Sequence, residues 1–155
     1  MRFKKALSML SKSSPYAVST AGANSDPEFQ MIKDYLYVET DIERAFKEKL
    51  DNVSSDEIIF LCGSSGDGKS EILTRCKEEY RERVDFHLDA THSFKPDDTA
   101  VETLDDIFTE FNRSKSPLVV GVNVGMLGNY EKEGNPSHAD IRSAIKGFLN
   151  GNALN

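Results

Sequence analysis

Apolar residues recur every three or four positions through much of this chain, and in three short stretches they run together or alternate instead. The first rhythm predicts amphipathic helices and the second predicts strands. The first 55 residues carry the helical rhythm alone. A short helix is expected over 2–11, followed by a Ser/Ala/Gly/Asn-rich loop from Ser11 to Ser25. Asp26-Pro27 then has the form of a helix start, with Phe29, Ile32 and Leu36 on one face. Thr40 and Glu43 have capping-box spacing, and Ile42, Phe46 and Leu50 continue the helical period as a core-facing stripe. From residue 56 the texture changes. Ile58–Cys62 is a continuous apolar run, as in a strand buried on both faces of a parallel sheet. A helix over 69–81 follows, burying Ile72, Leu73, Cys76 and Tyr80, with Glu71, Arg75 and Glu79 four apart on its wet side. Val84–Leu88 is a second strand, and Thr99–Glu102 opens a helix burying Val101, Leu104, Phe108 and Phe111. Pro117–Val122 is a third strand, and Ser137 begins a last helix with Ile141, Ile145 and Phe148 inward. Strand and helix in alternation predict an α/β fold with a parallel sheet of about three strands. The expected organisation is a helical lead-in over 1–55 and an α/β domain over 56–155.

The turn after the first strand carries the candidate chemistry. It reads Gly63-Ser-Ser-Gly-Asp-Gly-Lys69-Ser70, a glycine-rich loop between an apolar strand and an amphipathic helix, which is the context of a P-loop. A triphosphate needs donors for several negative charges, and backbone N–H groups with a helix N-terminus supply them where glycine lets the chain wrap closely. The candidate nucleotide-binding residues are Gly63, Ser64, Ser65, Gly66, Asp67, Gly68, Lys69, Ser70 and Glu71. Lys69 is expected to reach the β- and γ-phosphates, and the Ser70 hydroxyl to hold magnesium. The implied ligand is ATP with Mg2+.

Such sites in hydrolases also use an acid at the tip of a neighbouring strand to hold magnesium. The third strand runs into Asn123-Val-Gly-Met-Leu127 and has none. Asp89, just past the second strand, is the candidate for that acid or for a turn residue. Asn123 is the candidate γ-phosphate sensor or an ordinary strand-ending turn. Hydrolysis is therefore open. No Asn-Lys-x-Asp supports a GTPase, and no arginine-rich lid follows the third strand as a small kinase would require. Cys62 and Cys76 form no metal or redox motif and read as small core residues, while His87, His92 and His138 show no ligand spacing.

Composition narrows this little. With 19 basic and 26 acidic residues the net charge is −7, so bulk charge does not favour direct binding of nucleic acid. Arg2, Lys4, Lys5 and Lys12 make the first twelve residues a local basic exception. No apolar run is long enough to span a membrane and the start is too short in apolar residues for a secretory signal, so a cytoplasmic protein is expected.

Four segments, Ser11–Val18, Ile59–Leu73, Leu88–Phe94 and Val119–Leu127, together resemble the DptF family, the P-loop component of bacterial DNA phosphorothioation-dependent restriction systems. The resemblance covers nearly the whole chain. It implies a P-loop NTPase-like fold, with Gly63, Gly68, Lys69 and Ser70 binding nucleotide. It also implies other subunits of a restriction complex as partners, DNA reached through that complex, and restriction of DNA lacking backbone sulfur. Members of the family are longer, and a full core of this type has about five strands, so the chain is expected to be an N-terminal portion. Two alternatives stay open: a freestanding small-molecule kinase, and a non-enzymatic interaction domain whose lead-in is the partner surface.

Overall fold

A computed structural model describes residues 27–64, 66–88 and 99–151 of the 155. Its elements in chain order are α1 (Pro27–Leu36), α2 (Asp41–Asp51), β1 (Ile58–Cys62), α3 (Lys69–Tyr80), β2 (Asp85–His87), α4 (Ala100–Ser114), β3 (Leu118–Val122), α5 (Val124–Glu133), a 3-10 turn (Pro136–His138) and α6 (Ala139–Leu149). The chain divides into two compact units, Met1–Phe46 and Lys47–Asn155, with the boundary falling in the sequence of α2. The expected helix over 2–11 and the loop over 11–25 lie outside the described residues, as do the side chains of Phe29 and Ile32.

In the first unit, Thr40 starts α2 as expected, its Oγ1 accepting the Glu43 N–H at 3.2 Å. The return half of a capping box is replaced: the Glu43 carboxylate is buried and accepts the Tyr37 hydroxyl. Leu36 is exposed, and Ile42 is 65% exposed, so neither faces a core. Steps of four residues in a helix of 3.6 per turn advance the stripe by about 40° each. The face holding Phe46 and Leu50, both buried, has therefore rotated away from Ile42.

The second unit is a mixed helix and strand fold around a parallel three-stranded sheet ordered β1-β3-β2. Every pairing is parallel, with Ile58 opposite Leu118, Cys62 opposite Val122, and Asp85 opposite Leu118. The α/β expectation holds at this level. Because side chains alternate along a strand, β3 sends Leu118, Val120 and Val122 to one face. There they pack with Leu104, Ile107 and Phe108 of α4, Leu127 and Tyr130 of α5, and Ile145 of α6. Ile58, Phe60 and Cys62 of β1 extend this core. On the opposite face Gly121 meets α3: a Cβ there would collide with Leu73 Cδ1 and the Leu88 carbonyl, with Leu88 C only 3.1 Å away. Helices thus cover both faces of β3, whose five residues are all buried.

β1 departs from expectation. All five of its residues are half-buried, because among the described residues it pairs on one edge only. Cys62 shares that exposure, whereas Cys76 is fully buried. Phe148 is 47% exposed although Ile145 is buried, so the inward face of α6 is narrower than its apolar pattern. The expected Arg75 pairing is realised toward Glu71, at 2.9 Å; a Glu79 oxygen lies 3.8 Å from Lys47.

Helix α5 was not legible as an element, and it arranges the polar part of the core. The Tyr130 hydroxyl donates to Asp105 Oδ1 at 2.7 Å and lies 2.9 Å from His138 Nδ1. The same Asp105 oxygen accepts the Asn135 N–H at 2.9 Å and is 3.2 Å from His138 Nδ1. Phe108 packs edge-on against both rings, with centroids at 5.1 and 5.9 Å. His138 is therefore a member of a buried network joining α4, α5 and the start of α6, where buried polar groups require partners.

Candidate functional site

The Gly63–Ser70 loop leaves the carboxyl end of the sheet, where open α/β sheets bind ligands. Its start is tied to β3 by the Gly63 N–H, which donates to the Val122 carbonyl at 3.3 Å. This bond brings the tip of β3, and with it Asn123, beside the mouth of the loop. Gly66 and Gly68 have φ of 84° and 88°, a backbone region that strains any residue with a Cβ. Nothing lies within 4 Å of where a Cβ would stand on either, so these glycines are required by conformation and border open space. Helix α3 begins at Lys69, and its N-cap, Gly68, has no side chain to cap with. The Gly68 carbonyl accepts from Glu71 and Ile72 at 3.1 and 3.2 Å.

Each predicted side chain can be placed on this frame. Ser64 is exposed, Ser70 is half-buried with its carbonyl accepting the Thr74 hydroxyl at 2.8 Å, and Ser65 lies outside the described residues. The Lys69 side chain is only 16% exposed, and its ammonium lies 3.9 Å from Asp67 Oδ1. Its charge is felt at Cys62: burial pushes that thiol up from its ordinary value, and Lys69 pulls it partly back. Glu71 is engaged within α3, its N–H on the Gly68 carbonyl and its carboxylate on Arg75. Asn123 is the N-cap of α5, its Oδ1 accepting the Met126 N–H at 2.7 Å. Asp89 and His92 lie outside the described residues. Among those described, no cluster of His, Cys, Asp and Glu could hold a metal ion, and no helix is long and apolar enough to cross a membrane.

Asp67 was named among the candidate binding residues, but the path of its carboxylate was not foreseen. Its pattern position marks a loop residue but not where its carboxylate goes. That group lies across the loop: a Cβ on Gly63 would be 2.8 Å from Asp67 Cγ. Asp67 Oδ1 also accepts the Lys69 N–H at 3.1 Å.

The arrangement can bind an anion. It combines two positive-φ glycines, an N-terminus whose first helical N–H already holds a carboxylate, and the ammonium of a mostly buried lysine side chain beside it. A phosphate group therefore fits the residues present. No family model, curated protein or solved structure matches this chain.

Proposed function

We propose that this chain binds ATP with magnesium at the loop Gly63–Ser70, in a P-loop NTPase-like domain, as the nucleotide-dependent component of a bacterial DNA phosphorothioation-dependent restriction system. The binding proposal is carried by one observation: Gly66 and Gly68 at positive φ turn the chain from β1 directly into a helix whose first residue is a mostly buried lysine. A lysine so placed is costly without an anion near it, and Asp67 is a lone carboxylate where a polyphosphate brings several charges. In this reading Lys69 holds the β- and γ-phosphates and the Ser70 hydroxyl ligates magnesium. Asp89 is assigned to the metal or its water. Asn123 is assigned to the γ-phosphate side of the site, a role its position beside the Gly63–Val122 bond allows.

The restriction role rests on the resemblance of the four segments quoted above. Bound nucleotide would supply the charge that biases the loop and its neighbours between two arrangements, so that other subunits of the complex sense the nucleotide state. DNA is then reached through those subunits. The test is Lys69→Ala introduced into an intact restriction system. Loss of restriction, with the variant still recovered alongside its partner subunits, is the expected result. Restriction that survives the substitution, or a chain that recovers no partners, removes this reading.

A further inference from the structure

We propose that Asp67 is a built-in competitor for the phosphate seat of this loop and sets the affinity with which the loop takes a polyphosphate. The inference rests on reading Gly63–Ser70 as a phosphate loop and adds a residue that governs it.

One carboxylate reaches three parts of the loop at once. It lies over the Cα of Gly63, where a Cβ would be 2.8 Å from its Cγ. It accepts the Lys69 N–H at 3.1 Å, and it stands 3.9 Å from the Lys69 ammonium. A phosphate entering the loop would use the same partners: the first N–H of the helix, the ammonium and the space above the first glycine. An aspartate that merely shapes a turn explains the bond to the N–H two residues on. It does not explain why the carboxylate also spans back to Gly63 and attracts the ammonium. Two anions cannot share these donors, so Asp67 must leave before phosphate can settle. It is able to leave. Its side chain is 37% exposed, and the space beside Gly66 and Gly68 is open.

Asp67 thereby partners both the first N–H of the helix and the Lys69 ammonium. The apparent affinity for polyphosphate falls by the fraction of time the carboxylate is in place. This makes Asp67 a specificity-setting residue: it raises the threshold concentration for any ligand that binds by its phosphates and leaves contacts to a nucleoside unaffected.

The experiment is a titration of the full chain with a fluorescent ATP analogue plus magnesium, and competition by inorganic triphosphate, for wild type, Asp67→Asn, Asp67→Ala and Lys69→Ala. Asparagine keeps an oxygen for the Lys69 N–H and loses the charge, whereas alanine loses both. Both Asp67 variants are expected to bind about ten-fold tighter or better, with a similar gain for inorganic triphosphate. Circular dichroism confirms that each variant is folded. Wild-type binding that Lys69→Ala abolishes, together with equal or weaker binding by folded Asp67→Asn, overturns this inference alone. Weaker binding confined to magnesium-containing buffer also overturns it, since Asp67 would then serve the metal. No binding by wild type or by either Asp67 variant overturns the phosphate-loop reading as well.

Discussion

Two glycine-to-alanine substitutions on neighbouring elements should change stability in opposite directions. At Gly121, in the middle of β3, an added Cβ would collide with Leu73 Cδ1 and with the carbonyl of Leu88, whose carbon is 3.1 Å away. Leu73 can rotate, but the carbonyl is backbone and Leu73 is itself fully buried. Overpacking of this kind costs about 1–3 kcal/mol, and the fixed carbonyl places Gly121→Ala toward the upper end. At Gly128, inside α5, a Cβ would meet nothing within 4 Å. Alanine there removes the entropy cost of a helical glycine and should stabilise by about 0.5–1 kcal/mol. The two effects together amount to about 2.5–4 kcal/mol, so for a chain of this size the pair should separate in melting temperature by roughly 5–16 °C, at about 2–4 °C per kcal/mol. Urea unfolding followed by circular dichroism measures both. The Gly121 substitution should also loosen the seat of α3 on the sheet, and with it the helix that begins at Lys69. A Gly121→Ala chain within about 0.5 kcal/mol of wild type would refute the close packing of β3 against Leu73 and Leu88.

Other consequences follow from the buried hydroxyls and the caps. Tyr130→Phe removes a donor to Asp105 at 2.7 Å in a buried site and should cost about 1.5–3 kcal/mol; a cost below about 0.5 kcal/mol in urea unfolding would contradict the network. Burial first, and then the hydrogen bond to Asp51, push Tyr80 up to about 12. An unfolded tyrosine titrates near about 10, so between these values the unfolded chain has lost a proton that the folded chain keeps. Stability should therefore fall as pH rises from about 10 to about 12, less steeply in Tyr80→Phe; identical slopes for the two chains would refute the assignment. Thr99 and Glu102 form a complete capping box on α4, at 3.2 and 2.6 Å. Thr99→Ala should cost about 1 kcal/mol in the same unfolding assay, and no change would show that this helix end is not held by its cap.

Legibility in the sequence followed the strength of local physics. β1, the loop and α3 were readable because an apolar run, spaced glycines and a helical stripe leave few alternatives. The start of α4 at Thr99–Glu102 was readable as a helix opening because its signals lie within one turn, and the structure completes it as a capping box. Helix α5 was not, since Gly125 and Gly128 lower its propensity and the segment reads as the fraying end of β3. The signals that could have found it are Asn123 as a cap, Leu127 and Tyr130 one turn apart, and Gly134 after Lys132. Exposure was the other weak point. Ile42, Leu36 and Phe148 have the right residue type and period, but burial depends on what packs against a face, which no single helix encodes. The half-burial of β1 has the same origin, an edge position among the described residues that is set by sheet order. The path of the Asp67 carboxylate across the loop depends on loop closure in three dimensions and left no trace in spacing.

The central claim is that Gly63–Ser70 holds the phosphates of ATP, and its most direct test is equilibrium binding of a fluorescent ATP analogue with and without magnesium to wild type, Lys69→Ala and Ser70→Ala. Magnesium-dependent binding is predicted for wild type. It should weaken by about ten- to a hundred-fold in Lys69→Ala, as expected for loss of a charge-assisted contact, and lose its magnesium dependence in Ser70→Ala. A folded wild-type chain that does not bind the analogue, or binding that Lys69→Ala leaves untouched, would contradict the account.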